Sequence, residues 1–103
     1  MTYLPTTPWT WQIVADGRAD KLKLDLAADR VTVTGTLFGN PINGFWNEGS
    51  ATLSFIRGGG ANQFYIGYLS PRIAGPDGKY YLAGTFQDPS GTFGWFAEVL
   101  VVA

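Results

Sequence analysis

A chain of 103 residues is long enough for one domain with a modest core and too short for two, so residues 1–103 are expected to form a single domain. Hydrophobic residues make up 46% of the chain and charged residues only 15%, against roughly 25% in an ordinary soluble domain, which indicates extensive burial in a closed sheet or an oligomer. The net charge of −1 argues against nucleic acid and membrane partners. The absence of Cys excludes disulfides and thiolate sites, and the absence of His excludes His-based triads and His metal ligands.

The first residues, Met1 to Pro8, are expected to form an extended lead-in, since Pro5 and Pro8 disfavour a helix. They lack the basic start and the apolar run of a signal peptide. We therefore expect a cytoplasmic protein, although a mature secreted form given a new Met would have the same sequence.

Three strands are predicted before residue 40. Trp9 to Val14 is expected to form the first, and the turn Asp16-Gly17-Arg18 follows it. In the second, apolar residues fall at i, i+2 and i+4, which favours a strand over a helix; they are Leu22, Leu24 and Leu26. Arg30 to Phe38 is the third, and the residues expected on one of its faces are Val31, Val33, Gly35 and Leu37. Gly35 is expected at a bulge, a bend or the close approach of a neighbouring ring.

Five more strands are predicted after residue 40. They are Ile42 to Asn47, Ala51 to Arg57, Gln63 to Ser70, Tyr80 to Phe86 and Thr92 to Val102. The longest connection is Pro71 to Lys79, and the others are short, which favours antiparallel pairing of consecutive strands. The predicted fold is therefore all-β, an eight-stranded antiparallel up-and-down β-barrel with no substantial helix.

Part of the sequence recurs about half a chain later. Gly35-Thr36 and Gly84-Thr85 each stand late in a strand, and Trp46 and Trp95 follow at the same distance. The repeat indicates either an ancient duplication or the reuse of one kind of barrel corner. Both interpretations predict that Trp46 and Trp95 occupy comparable places in opposite halves.

Eight meandering strands, the run Thr34-Gly35-Thr36-Leu37 and Trp residues on several strands resemble the avidin-like barrels and, more broadly, the calycin superfamily that includes lipocalin-like folds. The resemblance implies a ligand at the open end of the barrel, ringed by aromatic side chains. Leu37 stands where avidins usually have Tyr, and the family's polar biotin contacts are not matched, so biotin itself is not expected. The runs Gly35-Thr36 and Pro41-Ile42-Asn43-Gly44-Phe45 also resemble barrel lectins of cyanobacterial and myxobacterial type, without their sugar-binding loop motif.

Candidate ligand-binding residues are aromatic or polar side chains expected near a barrel mouth: Trp11, Asn40, Asn43, Trp46, Arg57, Tyr68 and Trp95. Asn40 and Asn43 are expected at a rim with Trp46 beside them. For each aromatic residue the alternative is ordinary core packing, because a barrel of eight strands is just wide enough to be filled by side chains.

Arg57 follows Leu53 and Phe55 on the alternating face that is predicted to point inward. Its guanidinium could clamp a carboxylate or a phosphate at the barrel mouth. The alternative is that Arg57 caps a strand end in water or pairs with Glu98.

The terminal run Val99 to Val102 is apolar on both faces, which predicts a homo-oligomer interface or a tail folded back over the open end. The carboxylates stand mostly in turns, and no catalytic, metal or cofactor motif is present. We therefore expect a non-enzymatic barrel that binds a small apolar or amphipathic ligand at its mouth. The alternatives are a solid-cored structural or protein-interaction barrel that oligomerises, and a carbohydrate-binding barrel lectin.

Overall fold

A computed structural model of the chain describes residues 9–70 and 79–100. Its strands are β1 (Trp9–Ala15), β2 (Arg18–Leu26), β3 (Thr32–Leu37), β4 (Asn40–Asn47), β5 (Thr52–Arg57), β6 (Gln63–Ser70), β7 (Lys79–Asp88) and β8 (Gly91–Leu100). Consecutive strands pair in antiparallel fashion, and β1 also pairs with β8, so the sheet closes on itself. The predicted eight-stranded up-and-down barrel is confirmed, and at this coarse level it is consistent with a calycin-like fold. The described residues contain no helix long and apolar enough to cross a membrane.

The core lies inside the barrel because apolar and polar residues alternate along each strand. In β2, for example, Leu22, Leu24 and Leu26 are buried while the intervening residues are exposed. Every buried residue in the described part of the chain is hydrophobic or glycine. The buried hydrophobic residues are Trp11, Ile13, Ala15, Leu22, Leu24, Leu26, Val33, Leu37, Ile42, Trp46, Leu53, Phe55, Tyr65, Leu69, Leu82, Phe86, Trp95 and Ala97.

Several strand ends differ from the predicted ones. The first turn uses only Asp16 and Gly17, both with positive φ, so Arg18 already belongs to β2. Strand β3 starts at Thr32 rather than Arg30. Val31 is therefore outside the strand and 46% exposed, and its predicted place on the inner face with Val33 is wrong.

Two glycines let neighbouring strands approach closely. A Cβ on Gly35 would lie 1.8 Å from the carbonyl oxygen of Lys23 in β2, and one on Gly84 would lie 2.0 Å from that of Ile66 in β6. The close approach predicted at Gly35 is therefore to backbone and not to a ring. A ring approach of this kind occurs at Gly67 instead, where a Cβ would lie 2.5 Å from the indole of Trp95.

The half-chain repeat does not place the two Trp residues equivalently. Gly35 pairs with Ile42, whereas Gly84 pairs with Trp95. In the second copy of the repeat, Gly91 stands where Ile42 stands in the first, so equivalent halves would pair Gly84 with Gly91. The pairing register of the β7–β8 hairpin therefore differs by several residues from that of the β3–β4 hairpin. Trp46 and Trp95 are both buried, but the prediction that they occupy comparable places is wrong.

The connections define two ends of the barrel. The turn end carries the tight connections at residues 16–17, 38–39, 58–62 and 89–90. The loop end carries residues 27–31 between β2 and β3, and residues 48–51 between β4 and β5. Since strands run antiparallel, β1 ends and β2 begins at the turn end, and β4 runs from the turn end to the loop end.

Candidate functional site

The loop end carries a depression of about 460 Å³, within the usual size range of small-molecule sites. Its lining comes from the β2–β3 connection and from the end of β4 with the turn that follows. The lining residues are Asp29, Arg30, Val31, Trp46, Asn47 and Glu48.

Asp29 shapes the first half of this depression. One carboxylate oxygen accepts hydrogen bonds from the N–H groups of Val31 at 2.8 Å and Thr32 at 2.9 Å, and the other accepts from the Thr32 hydroxyl at 2.8 Å. These bonds, first of all the one from the Thr32 backbone, lower the pKa of Asp29. The Val31 carbonyl accepts a hydrogen bond from the Trp46 N–H at 2.7 Å, which ties the loop to β4.

Glu48 occupies the other side of the depression. Its Oε2 accepts a hydrogen bond from the Trp46 indole N–H and lies 3.5 Å from Nη2 of Arg30. Its Oε1 is buried and has no hydrogen-bond partner in the described part of the chain. A buried carboxylate oxygen without a donor costs free energy, so this atom is ready to accept a hydrogen bond from an N–H or O–H group.

The two other Trp candidates lie in the barrel interior. Trp95 donates its indole N–H to the carbonyls of Ile66 and Thr85, at 3.2 Å and 3.1 Å. Trp11 is also buried, but its indole N–H has no acceptor among the residues that the structure describes. Trp95 therefore links β6 to β7 through its indole N–H, whereas the indole N–H of Trp11 is buried without an acceptor among the described residues.

Arg57 lies at the turn end and points inward, as the alternation predicts. Its Nε donates to Asn40 at 2.9 Å, its Nη1 to Gln63 at 2.9 Å and its Nη2 to the Phe38 carbonyl at 3.4 Å. Every nitrogen of the guanidinium thus has a partner within the protein. Arg57 caps the ends of three strands, and these hydrogen bonds favour neither the anion clamp nor the predicted pairing with Glu98.

Phe38 covers the interior at the turn end. Its ring contacts two guanidinium groups, with Cζ of Arg18 at 4.8 Å and Cζ of Arg57 at 4.9 Å from the ring centroid. Its N–H donates to Asp20 at 2.7 Å, and its φ of 49° is in the left-handed region that a bulky residue seldom adopts. The two ring contacts and the hydrogen bond to Asp20 hold this backbone conformation in place.

The polar network of the turn end continues through Gln63. Its Oε1 accepts hydrogen bonds from Arg57 and from the Tyr65 hydroxyl, the latter at 2.8 Å. Burial raises the pKa of Tyr65, with the charge of Arg57 opposing the shift. The pKa of Asp88 is lowered chiefly by hydrogen bonds from Ser90, with a smaller contribution from Gln63.

Aromatic rings fill the interior beneath this network. Phe55 and Phe86 stack on either side of Tyr65, each with a centroid distance of 4.7 Å. Trp95 meets Phe55 and Tyr65 edge-on, at 6.1 Å and 5.8 Å. These rings are therefore packed together in the core, which is the alternative predicted for the aromatic residues.

The structure separates the predicted rim residues. Asn40 is at the turn end of β4 and Trp46 is near its loop end. The prediction that these two residues are neighbours at one rim is therefore wrong. Asn43 and Tyr68 are exposed on the outer wall, because their neighbours in sequence face the interior. Asn43 lies in the middle of β4, and Tyr68 lies near the loop end, paired with Thr52 at the start of β5, but faces outward. Of the seven candidates only Trp46 lines the depression.

Sequence reasoning missed the polar residues around Trp46. Glu48 follows Trp46 by two positions, so alternation places both on the same side of the chain, and this spacing was the available signal. Arg30 comes from a different connection, and its approach to Glu48 depends on the pairing of β3 with β4. The sequence therefore indicated that Glu48 lies beside Trp46, but it did not indicate that Arg30 joins them.

The predicted oligomer interface at Val99 to Val102 falls largely outside the described residues. The backbone is described up to Leu100, and the side chains of Val99 and Leu100 are not. The interface at this run stays a prediction.

No family model, curated protein or solved structure gives a significant match to this chain. In residues 9–70 and 79–100, no three Asp or Glu side chains form a cluster that could hold a metal ion. The functional argument therefore depends on the geometry of the two barrel ends.

Proposed function

We propose that this barrel is a non-catalytic binding module for a small amphipathic amine at its loop end. The observation that carries the proposal is Oε1 of Glu48, a buried carboxylate oxygen with no donor, beside a depression of about 460 Å³. An ammonium group would donate to that oxygen in a charge-assisted hydrogen bond.

The charges around the depression favour a cation over an anion. Asp29 and Glu48 carry negative charge, and Arg30 is the one positive residue among the described residues that line it. The exposed side chain of Val31 supplies an apolar contact next to these groups. A ligand with an ammonium group and a short apolar part matches both features.

A relation to the avidin-like barrels is part of this proposal. The eight-stranded meander and the position of the depression at one end of the barrel support it. The predicted ring of aromatic side chains is less developed in the part of the chain that the structure describes, where Trp46 is the one aromatic residue that lines the depression. The lectin alternative would need sugar hydroxyls to replace the ammonium group at Glu48.

Titration with three matched ligands tests the proposal. Hexylamine, hexanol and hexanoate share the apolar part and differ in the polar group. In two-dimensional ¹H–¹⁵N NMR spectra, we expect hexylamine to shift the Trp46 indole signal and the amides of Arg30 and Val31, with hexanol weaker and hexanoate weakest.

Glu48→Gln removes the charge and keeps the shape, and we expect it to weaken hexylamine binding by about tenfold. Asp25→Asn, on the exposed outer face of β2, is the matched control and should leave binding unchanged. Equal binding of the three ligands, or signal changes confined to the turn end, would refute the amine site.

A further inference from the structure

The outer wall of the barrel exposes its large apolar side chains mainly on one face, and that face carries no charge. The outward-facing residues of β4, β5 and β6 whose side chains are described include no Asp, Glu, Lys or Arg; they are Pro41, Asn43, Phe45, Asn47, Thr52, Ser54, Ile56, Phe64, Ile66 and Tyr68. We call these residues the uncharged face. Its large apolar side chains are well exposed: Phe45 by 63%, Ile56 by 55%, Phe64 by 45% and Tyr68 by 56%.

The strand register joins these side chains into one surface. Ile56 pairs with Phe64, and Phe45 pairs with Ser54, which pairs in turn with Ile66. With 150–250 Å² for a whole aromatic side chain, the four large residues expose roughly 450 Å² of mainly apolar surface. That is near the upper end for the largest apolar patch of a monomeric protein, which is often functional.

The rest of the described outer wall has a different composition. The outer face of β2 presents Lys21, Lys23 and Asp25, and that of β3 presents Thr32, Thr34 and Thr36, which are uncharged but not large and apolar. Among the described strand residues, the other exposed large hydrophobic side chains are Tyr81 on β7 and Phe96 on β8. Four of these six side chains therefore lie on β4 to β6.

We propose that the uncharged face binds a second copy of this chain in a symmetric dimer. A stable interface covers about 800 Å² on each partner, with an apolar fraction of about 55–65%. The apolar surface of roughly 450 Å² would make up a little over half of such an interface, and the Asn, Ser and Thr residues around it would supply its polar part.

The absence of charge favours self-association over an acidic or basic partner. A charged partner would lose water from its own groups and find no opposite charge on this face. In a two-fold dimer the same uncharged surface meets itself, so no charge is desolvated or opposed by a like charge. Two gently twisted sheets can also pack face to face, as in a β-sandwich. This interface shares Asn47 with the lining of the amine site, but the dimer does not depend on amine binding.

Sedimentation equilibrium of the full chain tests the dimer. We expect a dimer at micromolar concentration, and Phe45→Glu should raise the dissociation constant at least about a hundredfold, because it places a charge in an apolar interface on both copies. Tyr68→Lys, on β6, should have the same effect and provides an independent variant if Phe45→Glu does not fold. Far-UV circular dichroism should match that of the wild type, because both side chains point away from the core.

Lys23→Glu is the matched control, since it changes an exposed residue on the charged side of the wall. It should leave the dissociation constant unchanged. A wild-type chain that stays monomeric at about 100 µM would overturn the proposal, whether or not the face then binds lipid vesicles. A dimer that persists in both Phe45→Glu and Tyr68→Lys would also overturn it and would point to the C-terminal run.

Discussion

The two ends of the barrel use their polar side chains in different ways. At the turn end, Arg57, Gln63 and Asp88 bond to one another or to neighbouring protein groups, and Phe38 covers the rings below. At the loop end, Glu48 has one oxygen bonded to Trp46 and another that is buried without a donor. The first arrangement needs nothing from outside the protein, whereas the second is incomplete.

This difference separates a structural role from a binding role. Both ends contain an arginine beside carboxylates and aromatic rings, so residue type alone would not distinguish them. The two ends are distinguished by their buried polar groups without a hydrogen-bond partner. A buried network in which every group is bonded stabilises the fold, whereas an unbonded buried group favours a ligand that bonds to it. The side chains at the turn end therefore close the barrel and have a structural role, and the loop end is the candidate binding site.

The largest expected effect is at Arg57. Arg57→Leu removes three hydrogen bonds and one ring contact, and it leaves Asn40 without this donor and Gln63 with only the Tyr65 hydroxyl. We therefore expect a loss of about 2–3 kcal/mol in the free energy of unfolding. Urea unfolding followed by Trp fluorescence measures it. At the loop end, Glu48→Gln disturbs a partly exposed ion pair and should cost less than about 1 kcal/mol.

Arg18→Leu is the control for the ring contact alone, since Arg18 is exposed and lies over Phe38. We expect it to cost less than about 1 kcal/mol. An Arg57→Leu variant as stable as the wild type would show that the turn end is not held by its polar network, and the contrast between the two ends would fail.

Tyr65→Phe should have a smaller effect. It removes one hydrogen bond to Gln63, whose oxygen keeps its bond from Arg57, so we expect a cost of about 1 kcal/mol at neutral pH. Because burial raises the pKa of Tyr65, its contribution to stability is complete below about pH 10 and is lost as the pH rises through the folded-state pKa.

Thermal unfolding from about pH 8 to about pH 11.5 measures this contribution. The Tyr65→Phe variant should lose less stability over that range than the wild type. Tyr68→Phe, on the exposed outer wall, should behave as the wild type does; a Tyr65→Phe profile parallel to that of the wild type would contradict the prediction.

The smallest effects are expected at Asp29 and Asp88, one at each end. Hydrogen bonds lower the pKa of both carboxyls below the ordinary 3.8, so each stabilises the fold above that pH and loses its contribution as the pH falls through the lowered value. Asp29→Asn and Asp88→Asn should therefore melt slightly below the wild type at neutral pH.

Calorimetry from about pH 7 to about pH 2 should show these differences shrink below about pH 4. The Asp29→Asn change should move the NMR signals of Trp46 at the loop end, and Asp88→Asn those of Gln63 at the turn end. Differences that persist at the acid limit would show that the carboxylate charge is not their cause.

The inner face of each strand could be predicted from the sequence. The alternation of Leu22, Leu24 and Leu26 correctly placed the inner face of β2, and Gln63–Ser70 was predicted with the bounds that the structure has. Arg57 was also correctly predicted to point inward. Its partners were not, because Asn40 and Gln63 stand on the two strands that flank β5 and reach Arg57 only once the register is set.

The sequence by itself determined which side of each strand is buried, because alternation has a period of two residues and is local. It also contained the uncharged face: once Trp46 and Tyr65 point inward, Phe45 and Phe64 must point outward. Only the tertiary structure decided how high each residue sits in the barrel, because closure of the sheet requires tilted and staggered strands. That stagger separates Trp46 from Trp95 and brings Arg30 to Glu48.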